Sequence, residues 1–106
     1  MKFSIVIPAH NEEQRLPPVL LQYITLFNAN MPGAYELIVV ANGCTDQTAK
    51  TALEIAKHEP AVKVIDEKGR IGKGGAVIMG VKAAVGEYIG FVDADGSTSA
   101  EEFYRL

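Results

Sequence analysis

Cysteine occurs once in the 106 residues, at Cys44, tryptophan is absent, and there are two histidines. A single thiol forms no internal disulfide, so a folded core has to hold the chain together, as suits a reducing compartment. Neither His10 nor His58 has a second His, Cys or Glu at ligand spacing, which argues against a zinc-type site. Basic residues number 10 against 13 acidic and leave a formal charge of −3. Because they are scattered, they make no electrostatic footprint for nucleic acid. Long apolar runs are missing as well. Residues 3–7 stop at Pro8, short of the ~7–15 residues of a signal-peptide core and of the ~20 that span a bilayer. The sequence therefore reads as having no transmembrane segment. Its expected location is cytoplasmic, with any membrane association left to parts outside it. Repeats, low-complexity tracts and dividing linkers are also lacking, so residues 1–106 read as one domain.

What is present is a hydrophobic content of 48%, enough for one core. Four short apolar runs, at 3–7, 37–40, 62–65 and 88–92, have apolar residues on both pleat faces or β-branched character, the pattern of strands covered on both sides. Helical patterns lie between them. Pro17 and Pro18 open the first, with Leu20, Ile24 and Phe27 at helical spacing and Gly33 beyond its end. A second opens near Thr45 or Asp46 with Ala49, Leu53 and Ala56 on one face. The third is expected over residues 74–85 with Val77, Val81 and Ala84 in a stripe and Gly86 as a left-handed cap. Strands alternating with helices imply right-handed crossovers and a mostly parallel sheet. Ser99 and Glu102 form a capping-box pattern, so a helix is announced after Thr98 and reads as cut short, with the domain truncated at its carboxyl end.

Three polar clusters follow strand ends, and ligands in parallel sheets bind there. Asp93 and Asp95 stand two apart after the fourth strand, so both carboxylates can face one divalent cation, or they can simply decorate a solvated turn. After the first strand, Pro8, Ala9, His10, Asn11, Glu12 and Glu13 can engage a ribose or base, or lead as a polar loop into a helix start. The segment from Gly69 to Gly75 carries Arg70 and Lys73 with free backbone N–H groups, a fitting phosphate environment. It is not a Walker loop, since Glu67 stands where glycine is needed and Gly74 follows Lys73. A dinucleotide fingerprint is excluded because the first turn has no glycine.

Ile-Val-Ile-Pro-Ala-His-Asn-Glu-Glu at 5–13, Asn-Gly-Cys-Thr-Asp-Gln-Thr at 42–48, Gly-Lys-Gly-Gly-Ala at 72–76 and Phe-Val-Asp-Ala-Asp-Gly-Ser-Thr at 91–98 together resemble family 2 glycosyltransferases. The closest likeness is to the dolichyl- or polyprenyl-phosphate hexose synthases. The resemblance implies a Rossmann-like α/β fold of the GT-A, nucleotide-diphospho-sugar transferase type, strand order 3-2-1-4, with helices on both faces. It implies a nucleotide-sugar site of Pro8, Ala9, His10, Asn11, Glu12, Asn42, Lys73, Asp93 and Ala94, with His10 where the family usually has tyrosine. A divalent metal, Mg²⁺ or Mn²⁺, is implied at Asp93 and Asp95, and a lipid phosphate as acceptor. One departure stands out. The family usually has Asp-Asp-Gly-Ser after its second strand, the first Asp reading the base, and Ala41-Asn42-Gly43-Cys44 replaces it here. Asp46 is retained, with helix capping as its simplest role.

The expected function is metal-assisted transfer of a hexose from a nucleotide diphosphate sugar. The alternative is a non-catalytic or degenerate nucleotide-sugar-binding module. Because the fourth strand would leave a bare apolar edge, a homo-oligomer joined near it or near the helix after Ser99 is also expected.

Overall fold

The computed structural model describes residues 2–105. Four strands, β1 (Phe3–Ala9), β2 (Tyr35–Asn42), β3 (Val62–Glu67) and β4 (Tyr88–Phe91), form one sheet in the order β3-β2-β1-β4. Every pair is parallel. The helices are α1 (Leu16–Asn30), α2 (Thr48–Ala56), α3 (Gly72–Ala83) and α4 (Ala100–Tyr104). This is the α/β order 3-2-1-4 that the motifs imply. β1 and β2 lie in the middle and are packed on both faces, which is why they read as continuous apolar runs. Ile5, Ile7, Leu37 and Val39 join residues of α1, α2 and α4 in one core cluster, while Val6, Ile38 and Val40 join Ala76 of α3 in another. No helix among the described residues is long and apolar enough to cross a membrane.

The proline pair falls in the first turn of α1, where a missing N–H costs nothing. Leu20 and Phe27 are buried as the spacing implies, and so is Tyr23, whose hydroxyl donates to the Thr98 carbonyl at 2.9 Å. That bond ties α1 to the segment after β4. The capping box at α4 is also present. Ser99 Oγ accepts the Glu102 N–H at 3.1 Å, and Glu102 Oε1 accepts the Ser99 N–H at 3.2 Å.

Two helical stripes differ from expectation. In α2 the buried residues are Thr48 and Ala52, and Leu53 is 46% exposed. In α3 they are Ala76 and Gly80, with Ile78 58% exposed and Val81 40% exposed. The reason in α3 is close approach. A Cβ on Gly80 would overlap Val6 Cγ1 and lie 3.0 Å from Val6 Cγ2. Small residues let the helix settle onto β1, with Met79 packed beside them, and Ile78 and Val81 are turned toward solvent.

Gly86 is not a left-handed cap. α3 ends through Ala84 in extended backbone (φ −71°, ψ 139°), and positive φ among glycines occurs at Gly33, Gly43, Gly72 and Gly96. Space is what requires glycine here. A Cβ at Gly86 would lie 2.5 Å from Ser4 Oγ, 2.8 Å from the Ser4 nitrogen and 2.9 Å from the Lys2 carbonyl oxygen. Two of those atoms are backbone and yield only if β1 moves. Gly86→Ala is therefore expected to destabilise the fold by about 1–3 kcal/mol, the usual range for overpacking. Urea unfolding reads this directly, and an unchanged midpoint would show that the turn gives way without cost.

Candidate functional site

The carboxyl ends of β1, β2 and β4 open into one cleft of about 180 Å³. Its first wall is Pro8, Ala9, His10 and Glu12, its second is Asn42 with Arg70 and Lys73, and its third is Asp93, Ala94 and Asp95. Of the site residues that the resemblance implies, Asn11 alone is outside these walls, and Glu13 of the same loop is outside them too. Arg70, expected in a phosphate environment with Lys73 but not among the residues the resemblance implies, is also a wall residue. It was visible as a cation in a glycine-bearing segment, but no one-dimensional spacing says that this segment folds over Gly43.

Asn11 serves the loops instead. It adopts φ 52°, a conformation asparagine tolerates, and its Oδ1 accepts the N–H groups of Thr45 at 2.9 Å and Asp46 at 3.4 Å. Around it the β1–α1 and β2–α2 loops are laced together. Glu12 N–H donates to Thr48 Oγ1 at 2.8 Å, and Glu13 N–H donates to Asp46 Oδ2 at 3.3 Å. Asp46 Oδ1 takes the Thr48 N–H at 2.9 Å and its hydroxyl at 2.5 Å, so Asp46, one residue before the N-cap position at Gln47, satisfies the first N–H of α2. Partial burial pushes this carboxyl up, but the Thr48 and Glu13 donors outweigh it and hold it below its ordinary value. Cys44 stands between the loops, half-buried and unpaired. Its Sγ accepts from the Asn11 N–H and donates to the Ala9 carbonyl, each at 3.4 Å.

His10 is held at both ring nitrogens. Nδ1 is 2.8 Å from the Asn42 carbonyl oxygen. A carbonyl only accepts, so Nδ1 carries a proton, and Nε2 is left to accept from Asn11 Nδ2 at 3.4 Å. Glu12 is neutralised by a two-pronged ion pair with Arg15, both contacts 2.6 Å.

Asn42 is buried, and both ends of its amide are committed. Oδ1 accepts the Ile71 N–H at 2.9 Å and Nδ2 donates to the Gly72 carbonyl at 3.0 Å. This latch fixes the loop from β3 to α3 and hence the positions of Arg70 and Lys73. Gly43 completes it. At φ 58°, a Cβ there would lie 2.7 Å from Arg70 Cβ and 2.9 Å from its nitrogen, so the two loops touch backbone to backbone. Ala41, where the family pattern has its base-reading carboxylate, is fully buried. Successive strand residues point to opposite faces, and it is Asn42, not Ala41, that lines the cleft.

Across from the cations stand the acids. Asp93 is about half exposed and forms an ion pair with Lys73. Asp95 Oδ1 accepts the Ser97 N–H at 2.9 Å, and that donor, with the Ser97 hydroxyl, holds its carboxyl below the ordinary value. Ala94 is buried between them and fixes their spacing. No group of three or more His, Cys, Asp or Glu placed to hold a metal occurs among the described residues. Two carboxylates with room for phosphate and water oxygens nevertheless fit a hard divalent cation such as Mg²⁺, which typically takes only one or two protein carboxylates.

Comparison with known proteins gives a consistent picture. The profile described as Glycosyl transferase family 2 matches residues 4–106. A dolichyl-phosphate beta-glucosyltransferase of Drosophila melanogaster is 40% identical over 112 residues, a match covering 100% of this chain and 34% of that protein. S. aureus TarS 1-349 in complex with UDP superposes with a TM-score of 0.76 at 31% identity, over 90% of this chain and 28% of the other. Mannosyltransferase PcManGT from Pyrobaculum calidifontis, in complex with GDP-Man and Mn²⁺, superposes with a TM-score of 0.78 at 26% identity, over 89% of this chain and 27% of the other. The chain spans about a third of the length of the curated relatives it matches.

Proposed function

Because the chain belongs to glycosyl transferase family 2, we propose that it forms the donor-binding part of an enzyme that transfers a hexose from a nucleotide diphosphate sugar to a polyprenyl phosphate. The observation that carries the reading is the single cleft at the carboxyl ends of parallel strands, lined by Asp93 and Asp95 together with Arg70 and Lys73. Sequence similarity to a dolichyl-phosphate beta-glucosyltransferase supports the acceptor class. The fold likeness to UDP and GDP-Man complexes supports the donor class.

In this reading Pro8, Ala9, His10, Glu12 and Asn42 form the nucleoside side, Arg70 and Lys73 meet the phosphates, and Asp93 and Asp95 hold a divalent cation. When bound, that cation offsets charge on the departing diphosphate. Asn11 contributes by lacing the loops that shape the nucleoside side. At about 180 Å³ the cleft is smaller than the roughly 300–1,000 Å³ of a typical ligand pocket. It takes in part of a nucleotide sugar, and the sugar and acceptor meet residues beyond it. A phosphate monoester acceptor has a second pKa near ~6 and is largely ionised at neutral pH, so attack on the sugar makes little demand on a general base.

Calorimetric titration with UDP-glucose and GDP-mannose, with and without Mn²⁺, tests donor binding, and recovery of labelled glycolipid from polyprenyl phosphate tests transfer. Metal-dependent binding with glycolipid formation supports the proposal. Binding without transfer by the full-length protein would leave a nucleotide-sugar-binding module, and absence of binding would remove the reading altogether.

The proposal extends to association. β4 is an edge strand among the described residues, and its own Tyr88, Ile89 and Phe91 are exposed. For residues 1–106 by themselves, a homo-oligomer joined at that edge or near α4 is expected, because an apolar edge strand is a template for a further strand. Light scattering over a concentration series checks this, and a constant monomer mass would refute it.

A further inference from the structure

Lys73 lies in the first turn of α3 and its ammonium is paired with Asp93, one of the two carboxylates assigned to the cation. Both side chains are open to solvent, 58% and 45% exposed. The backbone beneath Lys73 is fixed, because Asn42 binds both the Ile71 N–H and the Gly72 carbonyl. A long, flexible stem thus rises from a rigid base, and its charged end can change partner without moving the helix.

We propose that Lys73 is a resident stand-in for the divalent cation, holding Asp93 while no diphosphate is present and releasing it when the donor arrives. This rests on the donor reading above. A divalent cation on Asp93 must displace the ammonium, since two positive centres sharing one carboxylate repel each other. Without a diphosphate the displaced ammonium gains nothing but water. With one, it gains phosphate oxygens of higher charge, and the carboxylate is freed for the cation. Cation and donor therefore bind together in preference to the cation alone. The pair is exposed, so the bias is modest: an exposed ion pair is worth at most about fivefold in an equilibrium constant.

The test is Lys73→Met in the whole protein, followed by electron paramagnetic resonance of Mn²⁺. Mn²⁺ alone should bind about fivefold more tightly than to the parent, because its competitor is gone. UDP in the presence of Mn²⁺ should bind about tenfold more weakly, because the phosphates lose a cation. Opposite signs in one variant are the signature, since a variant that had merely lost its fold would weaken both. Lys73→Arg should stay close to the parent in both titrations, and Lys82→Met, in the last turn of the same helix, should change neither. Unchanged or weaker binding of Mn²⁺ alone to Lys73→Met overturns the inference. If that happens while the parent still binds UDP or GDP with Mn²⁺, only the stand-in role falls. If the parent binds neither nucleotide, the donor reading falls and takes this one with it.

Discussion

Asp95→Asn should remove the metal-dependent part of UDP affinity and leave the fold as stable as before. The substitution keeps the shape of the side chain, and its amide oxygen can still accept the Ser97 N–H that Oδ1 accepts at 2.9 Å. What it loses is the negative charge. Asp95 is exposed, so an isosteric change there is expected to alter stability by no more than about 0.5 kcal/mol. Affinity behaves differently, because a hard dication is held by charged oxygens and a neutral amide is a poor replacement. Losing even an outer-shell partner costs about 10–100-fold in metal affinity, so losing a ligand should reach at least the upper end. Ser97 holds the Asp95 carboxyl below its ordinary value of 3.8. Protonation of Asp95 therefore does not compete with the cation at neutral pH. Calorimetry with UDP at neutral pH, with and without Mn²⁺, decides the matter. Equal metal-dependent gains in parent and variant would remove Asp95 from the site.

The strands and the meeting of the three polar clusters were legible in the sequence for one reason. β1 and β2 are buried on both faces, which writes itself as unbroken apolar runs, and a parallel sheet then puts every strand's carboxyl end on one side. Helix orientation was less legible. Reading α2 and α3 by their larger apolar residues selected Leu53 and Val81, whereas the faces that pack use Thr48 and Ala52, and Ala76 and Gly80. Periodicity rewards bulk, but close packing on Val6 selects against it. Gly86 was misread for a related reason, since left-handed backbone and close contact both demand glycine and leave the same letter. In the cleft, Asn42 was named from a motif, yet its work is to latch residues 71 and 72, a pairing across 29 and 30 positions that no local pattern records. Arg70 was legible as a phosphate-side cation, but its place over Gly43 follows from that latch.

The least legible residue is Glu36, a buried carboxylate at the start of β2 just before its apolar run, and its removal should be the most damaging to stability. It is 1% exposed. Its Oε2 accepts the Ser4 hydroxyl at 2.5 Å and the Val85 N–H at 2.8 Å, while Oε1 takes Lys63 Nζ at 2.5 Å. Ser4 Oγ in turn accepts the Gly86 N–H at 2.8 Å. The starts of β1, β2 and β3 are thereby tied to the turn that launches β4, which sets the register Phe3↔Tyr88 through Val6↔Phe91. That register decides where Asp93 and Asp95 emerge at the far end of the sheet. Glu36→Ala leaves the Val85 N–H and the Ser4 hydroxyl without their acceptor, and the expected cost is about 2–4 kcal/mol. Burial pushes this carboxyl up, but Lys63, Ser4 and Val85 together hold it below its ordinary value of 4.5. A depressed folded-state pKa means that the contribution is complete above the unfolded value and fades as pH falls through the folded one. The gap between parent and Glu36→Gln in urea midpoints should therefore be widest near neutrality and narrow in acid, as pH falls from the unfolded value toward the lower folded one. A gap that stays constant from neutral pH into acid would mean that the charge of Glu36 contributes nothing and that its shape alone holds the turn.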